Sequence, residues 1–279
     1  MTASDVQRPG LTIGVPTRDR SRQLAGLLAF LVGEAPALRR TWRLELVVAD
    51  GSAAPAELPA AVRGAFDDAR VVPVAGGVSR GRNAIAEHAT GDVLLLVDDD
   101  VRPHPGALAH LADAVEPGTV VAARVSGLGH RPGEPSRLMA VARTGYGVPA
   151  PADATADYAV SALLALPRDV YRGVRWDERF AAAHLDDVMF GLRLRAAGVR
   201  LAECPGATAD HPPREDNDRP DLAAQRALVV LTRWRDDRPL GAWVRCLAHV
   251  AWSHRARPRD VVAAVGAYLS GTRRWAAAR

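Results

Sequence analysis

Short apolar runs alternate with amphipathic stretches in the first hundred residues of the chain. Three runs rich in valine, leucine and isoleucine, starting at Leu11, Leu44 and Asp92, end in polar residues, which is typical of buried strands. Two helical stretches separate them, and the first carries leucines at helical spacing, Leu24, Leu27, Leu28 and Leu31. Strands that alternate with helices predict an α/β fold with a mainly parallel central sheet.

All three predicted strands end in residues that can contact a ligand. These ends are Pro16 and Thr17, Asp50, and the triplet Asp98, Asp99 and Asp100. Because ligands of parallel α/β sheets bind beyond the carboxyl ends of the strands, we expect the three ends to converge on one crevice. Neighbouring carboxylates repel each other unless a cation or hydrogen-bond donors offset their charge. The triplet therefore indicates a site for a divalent cation and a diphosphate, with a solvated acidic turn as the alternative.

Two arginines precede the aspartate strand. Arg80 and Arg82 lie in "GVSRGRN", at the predicted start of a helix, where free N–H groups and guanidinium donors favour an anion. In a chain this rich in arginine, both side chains are also compatible with an ordinary surface position.

A second acidic pair opens a later amphipathic helix. Asp186 and Asp187 begin "LDDVMFGLRLRAAG", and Gly198 is expected just past the helix end. We expect one of the two aspartates to cap the helix and the other to be free to act as a base. His211 follows a short predicted strand, and a neutral imidazole is a competent Mn²⁺ ligand.

In order and spacing, the stretches from about Leu11 to Pro213 resemble the inverting family 2 glycosyltransferases of GT-A fold. The resemblance implies that the opening turn receives the nucleotide and that the next strand end meets its base. It also implies that the arginine-containing loop organises the diphosphate. The residues implied for this donor side are Pro16, Thr17, Asp19 where Asn is commoner, Asp50, Arg80, Arg82, Asn83, Asp98 and Asp99.

The resemblance also implies a metal site and a catalytic base. Asp98, Asp100 and His211 take the metal-binding positions, with Asp100 as the stronger ligand, and it stays open whether Asp99 shares that duty. Asp187 takes the position of the general base, beside Asp186 where Glu is usual. Trp176 replaces the usual phenylalanine of the turn before this helix.

The implied activity is metal-dependent, inverting transfer of a sugar from a nucleoside diphosphate donor to an acceptor hydroxyl, with Mn²⁺ or Mg²⁺ as cofactor. The acceptor could be a natural product, a glycan or a lipid-linked molecule. A single base opposite the leaving group displaces the diphosphate directly, without an enzyme nucleophile. The alternative is a catalytically silent GT-A-like domain that binds a nucleotide sugar or a partner protein.

Composition narrows the function classes. All 36 basic residues counted as Lys or Arg are arginine, which excludes Schiff-base, Walker-loop and kinase lysines. The missing lysines also argue against a sugar-nucleotide pyrophosphorylase or a phosphatase. The net charge of +4 is spread along the chain, so we expect no nucleic-acid partner. Two cysteines, no secretion signal and no long apolar segment indicate a cytoplasmic protein.

Three regions are expected: a flexible N-terminus at residues 1–10, a GT-A domain at 11–215 and a helical C-terminal extension at 216–279. The extension bears Trp234, Trp243, Trp252 and Trp275 among arginines. Two hypotheses stay open for it: a peripheral contact with the inner face of the membrane, or a lid or homodimer contact with buried tryptophans, which we favour. Residues 124–157, rich in Gly, Pro and Ala, are expected to recognise the acceptor.

Overall fold

The computed structural model describes residues 8–128, 134–142, 147–151, 155–180 and 185–212, and single positions between 229 and 269, all of them helical. Ten strands and six helices form this described part through residue 210. The first half comprises β1 (Gly10–Thr17), α1 (Ser21–Leu38), β2 (Arg43–Asp50), α2 (Ala60–Ala65), β3 (Asp68–Pro73), α3 (Val78–His88), β4 (Val93–Val97) and β5 (Arg102–Pro103). The second half comprises α4 (Ala107–Asp113), β6 (Thr119–Ser126), β7 (Met139–Val141), β8 (Gly147–Pro149), β9 (Leu163–Pro167), α5 (Arg168–Gly173), α6 (Asp186–Ala196) and β10 (Arg200–Asp210).

Eight strands form one sheet in the order β3-β2-β1-β4-β9-β6-β10-β5. Strands β3, β2, β1 and β4 are parallel, and so are β6 and β10, which confirms the mainly parallel sheet. Strand β9 is antiparallel to both of its neighbours, and β5 is antiparallel to β10. Strands β7 and β8 pair separately as a short antiparallel ribbon.

Apolar side chains cover both faces of the sheet. Leucines of α1 pack on one face with residues of α4 and with alternate side chains of β1 and β2. On the other face, α3, α5 and α6 contribute Ile85, Tyr171 and Phe190 to a second cluster. Strands buried on both faces read as continuous apolar runs, which explains why the "VLLLV" of β4 shows no polar alternation.

A third apolar cluster ties the C-terminal region to the sheet domain. Val188, Met189 and Leu192 of α6 pack there with Phe180 and with Val229, which is fully buried. Residues described in the predicted extension thus contact the helix that opens with Asp186 and Asp187. The four tryptophans of the extension lie outside the described residues, so both hypotheses about it stay predictions.

Gly198 adopts φ 75° directly after α6, as expected for a helix-terminating glycine. In the part of the chain that the structure describes, no helix is both long enough and apolar enough to cross a membrane.

Candidate active site

The carboxyl ends of β2, β1 and β4 lie side by side, as the sequence predicts. Thr17 is the register partner of Asp50, and β1 pairs on its other side with β4, which runs into Asp98. The Thr17 hydroxyl donates a hydrogen bond of 2.6 Å to Asp99 Oδ2. The three neighbouring aspartates face partly different partners, because Asp98 contacts Arg82 whereas Asp99 and Asp100 share Arg20.

Asp98 is paired with the buried guanidinium of Arg82. Arg82 is 3% exposed, and its Nη2 lies 2.8 and 3.1 Å from the two carboxylate oxygens of Asp98, while its Nη1 donates to Asp186 Oδ2. Burial lowers the pKa of Arg82, but the charges of Asp98 and Asp186 outweigh it and raise the pKa well above its usual value. Arg82 is therefore a permanent cation that joins the end of β4 to the start of α6.

The Asp98 carboxyl is itself perturbed. Burial raises its pKa, Arg82 opposes that rise, and the nearby charges of Asp100 and Asp186 add to it, leaving the pKa above its ordinary value. Two carboxylates flanking one guanidinium leave an excess of negative charge at this edge of the sheet.

Asp100 lies between two potential cations. Arg20 Nη1 is 2.6 Å from its Oδ2, and His211 Nε2 is 3.3 Å from its Oδ1. Burial raises the pKa of Asp100, but its hydrogen bond and charge interaction with His211 and the charge of Arg20 together lower the pKa below its ordinary value. The contact between Asp100 and His211 brings together the ends of β4 and β10, and the metal-binding role of the two residues stays a prediction.

The donor set fits a hard divalent cation only in part. Asp100 and His211 supply a carboxylate and an imidazole, and such cations complete their shell with water and phosphate oxygens. Asp98, the third expected metal ligand, is turned toward Arg82 instead. Within the described residues, no three His, Cys, Asp or Glu side chains are grouped closely enough to hold a metal ion.

Arg20 is the site residue that sequence analysis missed. Its Nη1 donates to Asp99 Oδ1 at 3.0 Å as well as to Asp100, and it comes from the turn after β1 rather than from the predicted arginine loop. Burial raises the pKa of Asp99. The hydrogen bonds from Thr17 and Arg20 offset this rise only in part, so the pKa stays above its ordinary value. In a chain with no lysine and many arginines, nothing in the sequence marks this arginine.

Asp186 and Asp187 are both buried in the first turn of α6, and neither is the N-cap residue, which is Leu185. Asp187 Oδ1 accepts a 2.8 Å hydrogen bond from the free N–H of Val188, so the predicted capping function falls partly to Asp187. Asp186 instead forms the ion pair with Arg82. Helix α6 packs tightly against the segment that contains Tyr158, because a Cβ at Gly191 would come within 2.6 Å of Tyr158 Cα.

Asn83 is expected to organise the diphosphate, but its side chain contacts the turn before α6. It is 2% exposed, and its Nδ2 donates to the Trp176 carbonyl and to Glu178 at 3.0 and 2.9 Å, while its Oδ1 accepts from the Trp176 N–H at 2.8 Å. Its amide therefore holds α3 to the turn before α6. Arg80, one turn earlier, is exposed.

Asp50 is also occupied by its own chain. It is 2% exposed, and its two oxygens accept 2.8 Å hydrogen bonds from the N–H groups of Ser52 and Ala56. Burial raises the pKa of Asp50, but the hydroxyl of Ser52 and these N–H groups lower it below the ordinary value. Asp50 thus shapes the loop after β2 rather than presenting a free carboxylate to a nucleotide base.

The turn before α6 is held by a buried ion cluster. Asp177 is 4% exposed and contacts Arg179 and Arg193 at 2.6 and 2.9 Å. Burial raises the pKa of Asp177, yet the hydrogen bonds from Arg179 and the charges of both arginines bring it below its ordinary value. Trp176 stacks on Phe190 of α6 with ring centroids 3.6 Å apart, so the tryptophan packs within the apolar core.

An open cleft of about 710 Å³ adjoins the acidic triplet. It lies between the first turns of α1 and the segment Val101–Pro103, and Arg20, Asp99 and Asp100 form part of its wall. The acidic edge is thus accessible from solvent on the α1 side.

The family model described as glycosyl transferase family 2 matches residues 12–147. The first half of the chain is therefore similar to the family 2 glycosyltransferases. The match contains the strand ends and Arg82, Asp98, Asp99 and Asp100, whereas Asp186, Asp187 and His211 lie beyond it.

Solved glycosyltransferase structures share the GT-A fold of the chain. One is GalNAc-T7 with UDP, GalNAc and Mn²⁺, at 13% identity and TM-score 0.60, which covers 84% of this chain and 49% of that one. Another is residues 1–349 of S. aureus TarS with UDP-GlcNAc, at 14% identity and TM-score 0.52, covering 97% and 92%. A third is glucosyl-3-phosphoglycerate synthase from Mycobacterium tuberculosis with Mn²⁺, UDP-glucose and phosphoglyceric acid, at 16% identity and TM-score 0.52, covering 85% and 80%.

The chain spans about half the length of the first two solved proteins that it matches, 49% of GalNAc-T7 and 55% of a longer TarS chain. No curated protein sequence matches it.

Proposed function

We propose that the chain transfers a sugar from a nucleoside diphosphate donor to an acceptor hydroxyl, with inversion at the anomeric carbon and with a divalent cation bound. The observation that carries this proposal is that Arg82 of α3 joins the end of β4 to the start of α6, through its contacts with Asp98 and Asp186. These residues lie at the ligand-binding edge of a GT-A sheet in a chain similar to the family 2 glycosyltransferases.

On the donor side, Asp100 and His211 are the residues that would hold Mn²⁺ or Mg²⁺. The cation, when bound, would neutralise the negative charge that develops on the departing diphosphate. Thr17 and Arg20 hold Asp99 in place beside Asp100. Arg82 supplies a fixed positive charge in a buried position, where electrostatic stabilisation is strongest.

On the acceptor side, Asp187 is the proposed base. The Asp186 carboxylate is held in a buried ion pair with Arg82, so it serves to fix the start of α6. Asp187, at the next position of the first helical turn, takes the proton of the attacking hydroxyl. Because a single carboxylate activates the acceptor and no side chain attacks the sugar, the displacement inverts the anomeric carbon.

The donor class proposed first is a UDP-sugar. UDP and Mn²⁺ accompany GalNAc-T7, UDP-GlcNAc accompanies TarS, and UDP-glucose with Mn²⁺ accompanies the mycobacterial synthase. We keep residues 124–157 as the proposed acceptor-recognition segment. Its described part supports this, because Met139 and Val141 of β7 pack in the same cluster as Val188 and Met189, which directly follow Asp187.

The test is release of nucleoside diphosphate from UDP-glucose, UDP-N-acetylglucosamine and GDP-mannose, each with Mn²⁺ and a panel of hydroxyl acceptors. The wild type is compared with Asp187→Asn and with Asp113→Asn, an exposed aspartate on α4 that serves as the matched control. Transfer by the wild type and the control, lost in Asp187→Asn, supports the proposal. Nucleotide binding without any release would favour the silent binding domain.

A further inference from the structure

The Arg20 guanidinium contacts Asp100, the carboxylate that would hold the proposed metal. Its Nη1 contacts Asp99 Oδ1 at 3.0 Å and Asp100 Oδ2 at 2.6 Å, and His211 faces the remaining oxygen of Asp100 at 3.3 Å. Both oxygens of Asp100 therefore have a partner. A divalent cation needs a carboxylate oxygen within about 2.0 to 2.6 Å, and a guanidinium held on the same carboxylate repels it at that distance.

The turn that carries Arg20 is shaped to deliver it. Asp19 adopts φ 54°, a left-handed conformation that L-residues other than Asn and Asp seldom take. Its N–H donates to the Ser52 hydroxyl at 2.8 Å, and the Thr17 carbonyl accepts from the Gly51 N–H at 2.9 Å. The loops after β1 and β2 thus hold each other, and the side chain that follows is directed at the acidic triplet.

The contact can also be exchanged. The Arg20 side chain is 50% exposed, and ion pairs open to water contribute little net stability. Arg20 borders the open cleft beside Asp99 and Asp100, so it can leave the carboxylates without disturbing the core. Arg82, by contrast, is buried and fixed.

This inference rests on the proposed function: we propose that the positively charged side chain of Arg20 competes with the divalent metal for Asp100. The metal alone then binds weakly, since it must displace a positive charge. A nucleoside diphosphate adds phosphate oxygens as metal ligands and negative charge that can receive the displaced guanidinium. Metal and nucleotide accordingly bind together rather than one after the other.

The experiment is calorimetric titration of the full chain with Mn²⁺ alone, without nucleotide, for the wild type, Arg20→Ala, Arg20→Lys and Arg22→Ala. Arg22 is the matched control, because it borders the same cleft and contacts neither Asp99 nor Asp100 in the described structure. Arg20→Ala should tighten Mn²⁺ binding at least about tenfold, the effect expected from removing one adjacent positive charge. Arg22→Ala should change it less than about twofold, because a charge that makes no contact with the carboxylates is screened by salt and solvent.

A double variant and the lysine variant serve as additional controls. Asp100→Asn in the Arg20→Ala background should remove the gained affinity, which shows that the ion sits on Asp100. Arg20→Lys keeps the charge and should stay close to the wild type, and thermal melting confirms that each variant is folded.

Equal Mn²⁺ affinity of the wild type and Arg20→Ala would overturn the inference. Weaker binding by Arg20→Ala would also overturn it, because Arg20 would then orient the carboxylates for the metal. Absence of Mn²⁺ binding in every variant overturns it too, yet transfer activity in the release assay would leave the proposed function standing. If Arg20→Ala binds Mn²⁺ more tightly but the chain transfers no sugar, the competition between Arg20 and the metal is supported and the proposed function is not.

Discussion

Arg82 Nη2 lies 2.8 Å from Asp98 Oδ1, and this contact joins α3 to the end of β4 inside the protein. The same guanidinium binds Asp186 at the start of α6. One buried cation therefore fixes the relative position of the proposed donor and acceptor sides.

The first prediction concerns this cation. Arg82→Ala leaves two carboxylates without their partner and should lower the free energy of unfolding by about 3–5 kcal/mol. Arg82→Lys retains the charge but loses the fork geometry and should cost about 1–3 kcal/mol. Urea unfolding measures both. Arg80→Lys, at an exposed position of the same helix, is the control and should change the free energy of unfolding by less than about 0.5 kcal/mol. Equal effects of Arg80→Lys and Arg82→Lys would contradict the stabilising role of the buried Arg82 contacts.

The second prediction separates the two aspartates of α6. Asp187→Asn should lower kcat about 10²- to 10⁴-fold with little change in nucleotide affinity, because only proton removal is lost. Asp186→Asn should mainly destabilise the fold, since Arg82 loses a charged partner. Steady-state kinetics and urea unfolding of both variants check this. A large loss of kcat in Asp186→Asn with normal activity in Asp187→Asn would reverse the assignment of the base.

The third prediction is a pH dependence that arises from Asp177. Its pKa is lower in the folded chain than in the unfolded one, so the ionised carboxylate stabilises the fold above the ordinary aspartate pKa of about 3.9. That contribution is lost as the pH falls through the lowered folded pKa. The difference in unfolding free energy between the wild type and Asp177→Asn should therefore be constant near neutral pH and shrink below about pH 4.

Urea unfolding at several pH values from 3 to 7 measures this difference. Asp113→Asn, at an exposed position, supplies the control and should show a small difference at every pH. A wild-type advantage over Asp177→Asn that grows as the pH falls would mean that the arginine contacts do not set this stability.

The fourth prediction tests whether the C-terminal region belongs to the folded unit. Arg233 Nε donates to Asp157 at 2.8 Å, and Asp157 is 1% exposed and also accepts from the Val141 N–H at 2.8 Å. Arg233→Ala should cost about 1–3 kcal/mol of unfolding free energy, because a buried carboxylate loses a charged donor. Arg259→Ala, at an exposed helical position, should be nearly neutral. Equal stability of the two variants would show that the contact does not hold the region in place.

The sequence predicts the sheet and its ligand-binding edge because burial and strand ends leave a direct pattern. Apolar runs that stop at Thr17, Asp50 and Asp98 are visible without any structure, and these ends do converge. The direction of β9 is not predictable in this way, since an apolar run carries no information on whether it pairs parallel or antiparallel.

The partners of the site residues are much harder to predict. Arg20 and Arg82 look alike in an arginine-rich sequence, yet one is half exposed on Asp100 and the other is buried on Asp98 and Asp186. Asn83 lies beside Arg82 but points to Trp176, because adjacent helical positions face different sides. Side-chain direction depends on tertiary packing, and spacing along the chain does not record it.

The most direct test of the central claim is calorimetric binding of UDP, dTDP and GDP, each with Mn²⁺ and with EDTA, to the wild type, Asp100→Ala and the control Asp113→Ala. We expect one nucleotide to bind the wild type and the control only with Mn²⁺, and Asp100→Ala to lose this binding. Failure of folded wild-type protein to bind any of the three nucleotides, or full metal-dependent binding by Asp100→Ala, would contradict the site proposed at this edge of the sheet.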